Sequence, residues 1–226
     1  MNNSTENQQS VISILKTDNK LKAIELQKNN GNFDILWSRS SAENNLDWQA
    51  FASSCGLNTK TTPHESVKSN KIVVVGYDST GTAFYRVNVP MVDEKEIASI
   101  VQLQAESHFP LSAEQMELAW RTSKLPNKQM DITIAAARKQ NVYKFIDKIR
   151  FLNPSKALLD YEGIVKVWKE LFSGQNKNAV IVNPGTHNTQ ICLAEKGALS
   201  TAVTLDIGTV DFEQNDQEEE NETLER

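Results

Sequence analysis

The sequence predicts a mixed α/β fold in which two three-stranded β-meanders are joined by amphipathic helices. Short apolar and β-branched runs separated by Asn, Asp and Gly turns predict the first meander, near the amino terminus, and residues 179–205 repeat this layout. Apolar residues at helical spacing recur between the two meanders. The chain has 226 residues, 39% of them hydrophobic, which suffices for one compound domain or two small ones.

The first third of the chain contains the first meander. Turn residues, among them Asp18 and Gly31, separate its strands, and a weakly amphipathic helix over 46–56 ends at Gly56. A polar stretch over 58–70 precedes two further strands, of which the second alternates apolar and polar residues. Strands are predicted over residues 11–15, 20–27, 33–38, 71–77 and 82–89.

The middle of the chain contains a strand and helix module. Asp93 and Glu96 form a capping-box pair that begins a helix, and Phe109-Pro110 ends it. Strands are predicted over 116–122 and 130–137, and Asn141 is predicted to cap the next helix. The strongest helical stripe follows, and its apolar spacing predicts a buried core face. The stripe consists of Tyr161, Ile164, Val165, Trp168, Leu171 and Phe172.

Charge is concentrated at the carboxyl terminus. Residues 211–226 carry a net charge of −7 and the remaining chain a net charge of +2, within a total of −5. The nearly neutral body argues against a broad nucleic-acid surface. Two interpretations of the tail stay open: a solvated acidic segment without fixed structure, or the first turns of a helix that begins with acidic residues.

Other sequence features favour a cytoplasmic protein. No apolar run reaches the roughly 18 residues that a membrane-spanning helix needs, and residues 1–10 lack the basic and apolar regions of a secretory signal. Cys55 and Cys192 have no metal-binding or redox spacing, and we expect two ordinary buried thiols.

Six short motifs follow one another along residues 11–212: KAIEL, VNVP, QAESHFP, ITIAAARKQ, LLDYEG and NPGTHNTQICLAEKG. In this order and spacing they resemble the type IV pilus assembly PilM family of the actin-like superfamily. The resemblance implies an actin-like, ribonuclease-H-like fold with an inserted small αβ subdomain and an incomplete second half. The implied segments are 1–10 disordered, 11–91 first subdomain, 92–154 insertion, 155–178 return to the first subdomain, 179–210 start of the second half and 211–226 acidic tail.

Departures from the family pattern affect nucleotide binding. The resemblance places Leu15 and Thr17 where nucleotide-binding members have Asp and Gly, and an apolar side chain cannot ligate Mg²⁺. In the second phosphate turn, Asn183 stands where the family carries Asp. The candidate phosphate contacts are the degenerate set Asn183, Gly185, Thr186 and Thr189. We therefore expect no cofactor, with Mg-ATP as the disfavoured alternative, and no catalytic residues.

The resemblance also implies a partner. PilM-like proteins receive a short amino-terminal segment of PilN, a single-span inner-membrane protein, between the first subdomain and the insertion. An extended peptide of this kind can add main-chain hydrogen bonds at a sheet edge and place alternate side chains in pockets. The residues expected to bind it are Phe109, Arg138, Ile97 and Val101.

Three functional alternatives remain open in the sequence. The first is a non-catalytic cytoplasmic scaffold, peripheral to the inner membrane, in a type IV pilus or related secretion machine. The second is an active actin-like ATPase or sugar-kinase relative, which Leu15, Thr17 and Asn183 disfavour. The third is the cytoplasmic domain of a GspL-like type II secretion protein, a class that continues into a membrane span of which this sequence has no candidate.

The histidines and the Ser54–Cys55 segment do not form a recognisable metal-binding or catalytic motif. His64, His108 and His187 are far apart and have no Cys or acidic residues at zinc-binding spacing. The sequence around Ser54 and Cys55 lacks the strand-turn-helix context of a nucleophile elbow. We therefore expect neither a metal site nor nucleophilic catalysis.

Overall fold

The computed structural model describes residues 9–17, 19–57, 71–172 and 178–212. The chain divides into two compact units. The first unit comprises Met1–Asp78 and Lys144–Asp160, and the second comprises Ser79–Tyr143 and Tyr161–Arg226. The expectations for Asp18, His64, the stretch 58–70 and residues 213–226 of the tail lie outside the described residues.

Strands and helices follow in mixed order along the chain. The strands are β1 (Ser10–Thr17), β2 (Lys20–Asn29), β3 (Asn32–Ser40), β4 (Lys71–Tyr77), β5 (Ala83–Pro90), β6 (Met116–Leu125), β7 (Gln129–Arg138), β8 (Lys156–Leu159), β9 (Ala179–Pro184), β10 (Thr189–Glu195) and β11 (Ala198–Leu205). The helices are α1 (Trp48–Ser54), α2 (Glu94–His108), α3 (Lys139–Ile149) and α4 (Asp160–Leu171). None of the described helices is long and apolar enough to cross a membrane.

The first unit is built on a five-stranded sheet with the order β3-β2-β1-β4-β8. The first three strands form the predicted antiparallel meander, and β4 pairs parallel with β1 and with β8. Alternate residues of β1, such as Ile12 and Ile14, face the core, where Trp48 and Phe51 of α1 pack with Ile149. The Asp47 carboxylate accepts hydrogen bonds from two backbone amides of α1, which fixes where this helix begins.

One carboxylate, that of Glu25 on β2, is buried in the first unit and joins four strands. Its side chain accepts hydrogen bonds from the Ser10 hydroxyl at 2.6 Å, the Lys71 ammonium at 3.0 Å and the Trp37 indole. Burial by itself raises the pKa of Glu25, but these hydrogen bonds and the charge of Lys71 outweigh it and hold the pKa below its ordinary value.

This arrangement makes a prediction about acid stability. A carboxyl whose pKa is lower in the folded protein stabilises the fold above its unfolded pKa, and this contribution is lost as pH falls through the folded pKa. We therefore expect Glu25→Gln to be less stable than the wild type at neutral pH, with the difference shrinking in acid. Urea unfolding at a series of pH values measures this, and a difference that does not change with pH would contradict it.

The second unit contains two three-stranded sheets. The first has the order β5-β7-β6 and is antiparallel throughout. One of its faces is apolar and packs against α2, whose capping box at Asp93 confirms the predicted helix start. The opposite face carries Arg86, Asp131 and Arg121. Because β5 pairs with β7, this sheet includes a strand that lies before residue 92, the predicted start of the insertion.

The second sheet has the order β11-β10-β9 and is the predicted meander of residues 179–205. Cys192, Ala194 and Leu199 on one face pack against Tyr161 and Val165 of α4. The other face of this sheet also carries apolar side chains, and those on the two outer strands are exposed: Val180 of β9 by 66% and Val203 of β11 by 49%.

The predicted buried stripe on α4 is correct only in its first turns. Tyr161 and Val165 are buried and Trp168 is half-buried, whereas Leu171 is 72% exposed and Phe172 52% exposed. The reason is the length of the sheet beneath the helix. Gly197, in the β10–β11 turn, lies against the side chain of Lys169, so the helix passes the end of the sheet there.

Four smaller features of the structure differ from the sequence-based expectations. Ser10, predicted to be disordered, is 5% exposed and begins β1, because it pairs with Gln27 of β2 and Lys71 of β4. Helix α3 begins at Lys139, two residues before the predicted cap at Asn141. The short strand β8 ends just before Asp160, and its parallel pairing with β4 was not predicted because the strand has no alternating pattern. Cys192 is buried as expected, but Cys55 is only half-buried, and burial raises the pKa of its thiol.

Candidate functional site

The candidate phosphate turn connects β9 and β10 and is held by its own hydrogen bonds. The Gly185 amide donates to the Asn188 carbonyl at 2.7 Å, and the Thr189 hydroxyl donates to the Ile207 carbonyl at 2.6 Å. The Asn183 side-chain amide donates to the Gln190 side chain at 3.0 Å. Three donors expected to contact a phosphate are therefore engaged within the turn and its neighbouring segments.

The segment after β11 packs closely onto this turn. Thr209 and Val210 donate their amides to the carbonyls of Gly185 and Thr186 at 2.9 and 3.3 Å. Residues 209–212 are helical, and the Asp211 carboxylate accepts a hydrogen bond from the Gly208 amide at 2.7 Å. A Cβ atom on Gly208 would lie inside van der Waals contact with the backbone of Thr186, so only glycine fits there.

Leu15 and Thr17, which the resemblance places where nucleotide-binding relatives have Asp and Gly, belong to β1 in the first unit. Leu15 is half-buried and pairs with Lys22 and Gly76 on the neighbouring strands, while Thr17 pairs with Lys20 at the hairpin end. Leu15 therefore serves sheet packing and offers no oxygen ligand. Among the described residues, no group of three or more His, Cys, Asp or Glu side chains converges to hold a metal ion.

Two of the four residues expected to bind a peptide are core residues. Ile97 is 8% exposed and Val101 is 1% exposed, and both pack with Ile132 and Ile134 of β7. A face of α2 that packs on its own sheet is covered, so these side chains offer no surface to a peptide. The sequence pattern predicted an apolar helix face but could not tell whether a sheet or a partner covers it.

The other two residues lie near one end of β6. Phe109 is half-buried and packs against two apolar clusters that share Leu118 of β6. Arg138 is exposed at the end of β7, where it pairs with Met116, the first residue of β6. The structure therefore places Phe109 and Arg138 around the first residues of the same strand.

Strand β6 is an edge strand in the described part of the chain, because β7 is its only neighbour in the sheet. Trp120, two residues after Leu118, lies on the same face and is 46% exposed. We call the set Phe109, Leu118, Trp120 and Arg138 the β6 edge. Trp120 was not among the residues predicted to bind, although a tryptophan at an alternating position of a ten-residue strand is a signal for a half-covered site.

A network of charges joins the β5-β7-β6 sheet to the second meander. Arg86 donates to Asp131 at 2.6 Å, to the Ser200 hydroxyl at 3.0 Å and to Glu195. Burial by itself lowers the pKa of Arg86, but the hydrogen bonds and charges of Glu195 and Asp131 outweigh it and raise the pKa. This network fixes the two sheets of the second unit to each other.

Other sequence candidates have structural roles. The Ser53 and Ser54 hydroxyls donate to the carbonyls of Gln49 and Phe51 within α1, so they are engaged in local helix bonds. The His108 ring stacks on Tyr85 with the ring centroids 3.7 Å apart.

Neither a protein-family model nor a curated protein matches the sequence. Solved structures do match the fold. A chain of the PilM–PilN type IV pilus biogenesis complex aligns with 89% of this chain at a TM-score of 0.67 and 16% identity. This chain spans 63% of the length of that one.

Two further structures are similar. The cytoplasmic domain of EpsL, an inner-membrane component of the Vibrio cholerae type II secretion system, aligns with 87% of this chain and 71% of its own at a TM-score of 0.55 and 9% identity. A Bacteroides thetaiotaomicron protein with an actin-like ATPase fold and unknown function covers all of this chain and 80% of its own, at 13% identity and a TM-score of 0.46. The arrangement of strands and helices confirms the expected mixed α/β class, and this chain shares its fold with a chain of the PilM–PilN complex and with cytoplasmic EpsL.

Proposed function

We propose that this protein is a component of the assembly platform of a type IV pilus or related secretion system, where it binds a short extended peptide of a bitopic inner-membrane protein. The observation that carries this proposal is the extent of the fold match, 89% of the chain, to a chain from the complex of PilM with PilN. The similarity to EpsL supports the broader role in inner-membrane assemblies and a position peripheral to that membrane.

The β6 edge is the proposed peptide site. An edge strand offers main-chain N–H and C=O groups on one side, and an extended peptide can pair with them as an added strand. Leu118 and Trp120 are two residues apart, which is the spacing at which alternate side chains of such a peptide contact one face. Arg138 adds a positive charge that can pair with an acidic residue of the peptide.

The first test removes the exposed ring. We expect Trp120→Ala to weaken binding of a synthetic peptide, copied from the amino-terminal cytoplasmic segment of a PilN protein, by at least about tenfold, because buried tryptophans dominate such interfaces. Isothermal titration calorimetry measures the affinity. Leu171→Ala, which removes an exposed apolar side chain from α4, is the matched control and should bind normally. Equal binding by Trp120→Ala and the wild type would exclude this site.

Arg138→Glu should weaken binding of the same peptide with little change in melting temperature, because Arg138 is exposed.

Phe109→Ala should lower the melting temperature as well as the affinity. Its ring contacts two buried clusters, so the truncation should lower thermal stability as well as binding.

Peptide binding of this kind requires no nucleotide, and we propose a non-catalytic role. The apolar Leu15 and the engaged donors of Gly185 and Thr189 support it. Calorimetry with Mg-ATP should give a dissociation constant in the millimolar range or no binding, and phosphate release should not exceed the rate without protein. A micromolar constant with turnover would instead favour the ATPase or sugar-kinase alternative.

A further inference from the structure

Strand β3 is another long edge in the described part of the chain. It forms one end of the five-stranded sheet and pairs only with β2. Three large apolar residues on it are exposed: Phe33 by 62%, Ile35 by 65% and Leu36 by 49%. A long edge strand with exposed apolar side chains is a template for pairing with another strand.

The register of the β2–β3 hairpin determines which backbone groups of β3 point outward. The two-residue turn Asn30-Gly31 has positive φ at both positions, so Asn29 and Asn32 form a hydrogen-bonded pair. Hydrogen-bonded and non-hydrogen-bonded pairs then alternate, and the register shift beside Glu25 moves the alternation by one residue. The outward-pointing amides and carbonyls therefore belong to Phe33, Ile35, Ser38 and Ser40.

These four residues are arranged symmetrically about the centre of the strand. If two copies of β3 pair antiparallel about a two-fold axis between positions 36 and 37, Phe33 lies opposite Ser40 of the second copy and Ile35 lies opposite Ser38. All outward groups then meet outward groups. The same register places Asp34 opposite Arg39 of the second copy, in a non-hydrogen-bonded pair where side chains approach most closely.

The charges at these two positions fit this register. Asp34 and Arg39 are both exposed, and neither forms a salt bridge within the described residues. Asp34 accepts a hydrogen bond from the Asn29 side chain at 3.1 Å, and Arg39 donates to the Ser54 carbonyl at the end of α1. Both side chains lie on the face of the sheet that carries Ala23 and Gln27. The two-fold dimer therefore contains two Asp34–Arg39 pairs, one on each side of the axis. The exposed Leu36 side chains lie near the axis.

We infer that this chain self-associates through β3, forming a two-fold dimer in which the two five-stranded sheets join into one. The occupant of the β3 edge is a second copy because the strand is complementary to itself in backbone direction, in register and in charge. An isologous contact of this kind closes at two copies and leaves no further edge of the same type. This inference is independent of the peptide site on β6.

Charge reversal tests both the contact and its register. Sedimentation velocity of the full chain over a range of concentrations should show a monomer–dimer equilibrium. Asp34→Arg and Arg39→Asp should each raise the dimer dissociation constant by at least about tenfold, because each places two like-charged pairs in the contact. An equimolar mixture of the two variants should dimerise again, since both cross-strand pairs of the mixed dimer then join a guanidinium to a carboxylate.

Lys156→Asp on β8, at the opposite edge of the same sheet, is the control for altered net charge and should dimerise like the wild type. Circular dichroism checks that each variant is folded. A wild-type chain that stays monomeric at all concentrations would overturn the inference. So would a dimer that resists both reversals, or two variants whose mixture stays monomeric, because either result places any association on another surface.

Discussion

Replacing Arg86 by methionine should reduce the free energy of unfolding by about 3–5 kcal/mol, the usual cost of leaving a buried charge without its partner. The Asp131 side chain is only 6% exposed, and its Oδ2 accepts a hydrogen bond from Arg86. The second oxygen, Oδ1, is buried and has no hydrogen-bond partner among the described residues. Removing the guanidinium therefore leaves a carboxylate that neither water nor protein compensates, and it frees Glu195 and Ser200 as well.

A double-mutant cycle isolates this effect. Arg86→Met combined with Asp131→Leu removes both charges and should recover most of the lost stability, because an apolar pair needs no hydrogen bonds. Arg121→Met is a matched control on the same sheet face. The Arg121 side chain is 41% exposed and that of its partner Glu162 is 20% exposed, so water can solvate the carboxylate that remains. The loss in free energy of unfolding should therefore be about 1 kcal/mol or less, as for an exposed ion pair. Urea unfolding followed by circular dichroism measures these variants and the wild type. Equal losses for the two single arginine variants would show that the burial of Asp131 does not matter.

Gly208→Ala should destabilise the second unit by about 3 kcal/mol, at the upper end of what overpacking costs. The added Cβ would collide with the Thr186 carbonyl and the adjoining His187 amide, and backbone atoms cannot move aside as a flexible side chain can. The backbone must therefore separate there, and the hydrogen bonds from Thr209 and Val210 to the 184–188 turn lengthen with it.

Gly163→Ala controls for the loss of a glycine. Gly163 lies within α4, and a Cβ there would meet no atom within 4 Å. Because alanine is the better helix former, this variant should be unchanged or stabilised by up to about 1 kcal/mol. Thermal unfolding of both variants compares them directly. If Gly208→Ala were as stable as Gly163→Ala, the close contact between Gly208 and the turn would be excluded.

Local sequence signals predicted most of the elements. The capping box at Asp93, the alternation along β5 and the turn residues of both meanders are interactions between neighbours in the chain, and these favour a helix, strand or turn before any tertiary contact forms. The same signals failed at element ends and in β8. That strand of four residues exists because β4 provides a parallel partner, which no local pattern encodes.

At the candidate sites too, the sequence predicted the local pattern, and the tertiary structure decided which side chains are covered. The apolar spacing of Ile97 and Val101 predicted an apolar helix face, and the structure shows that the face packs on β7, which leaves Phe109 and Trp120 at the β6 edge. The exposure of Leu171 depends on where the β10–β11 hairpin ends, not on α4 itself.

The sequence by itself determined the mixed α/β class and the positions of most helices and strands. Only the tertiary structure decided which apolar surfaces are covered, which strands are edges, and that Arg86 meets Asp131 and Glu195. The physical reason is the range of the interactions. Periodicity and capping act over a few residues, whereas burial and charge pairing depend on segments such as β5 and β10, whose paired residues Arg86 and Glu195 are 109 positions apart.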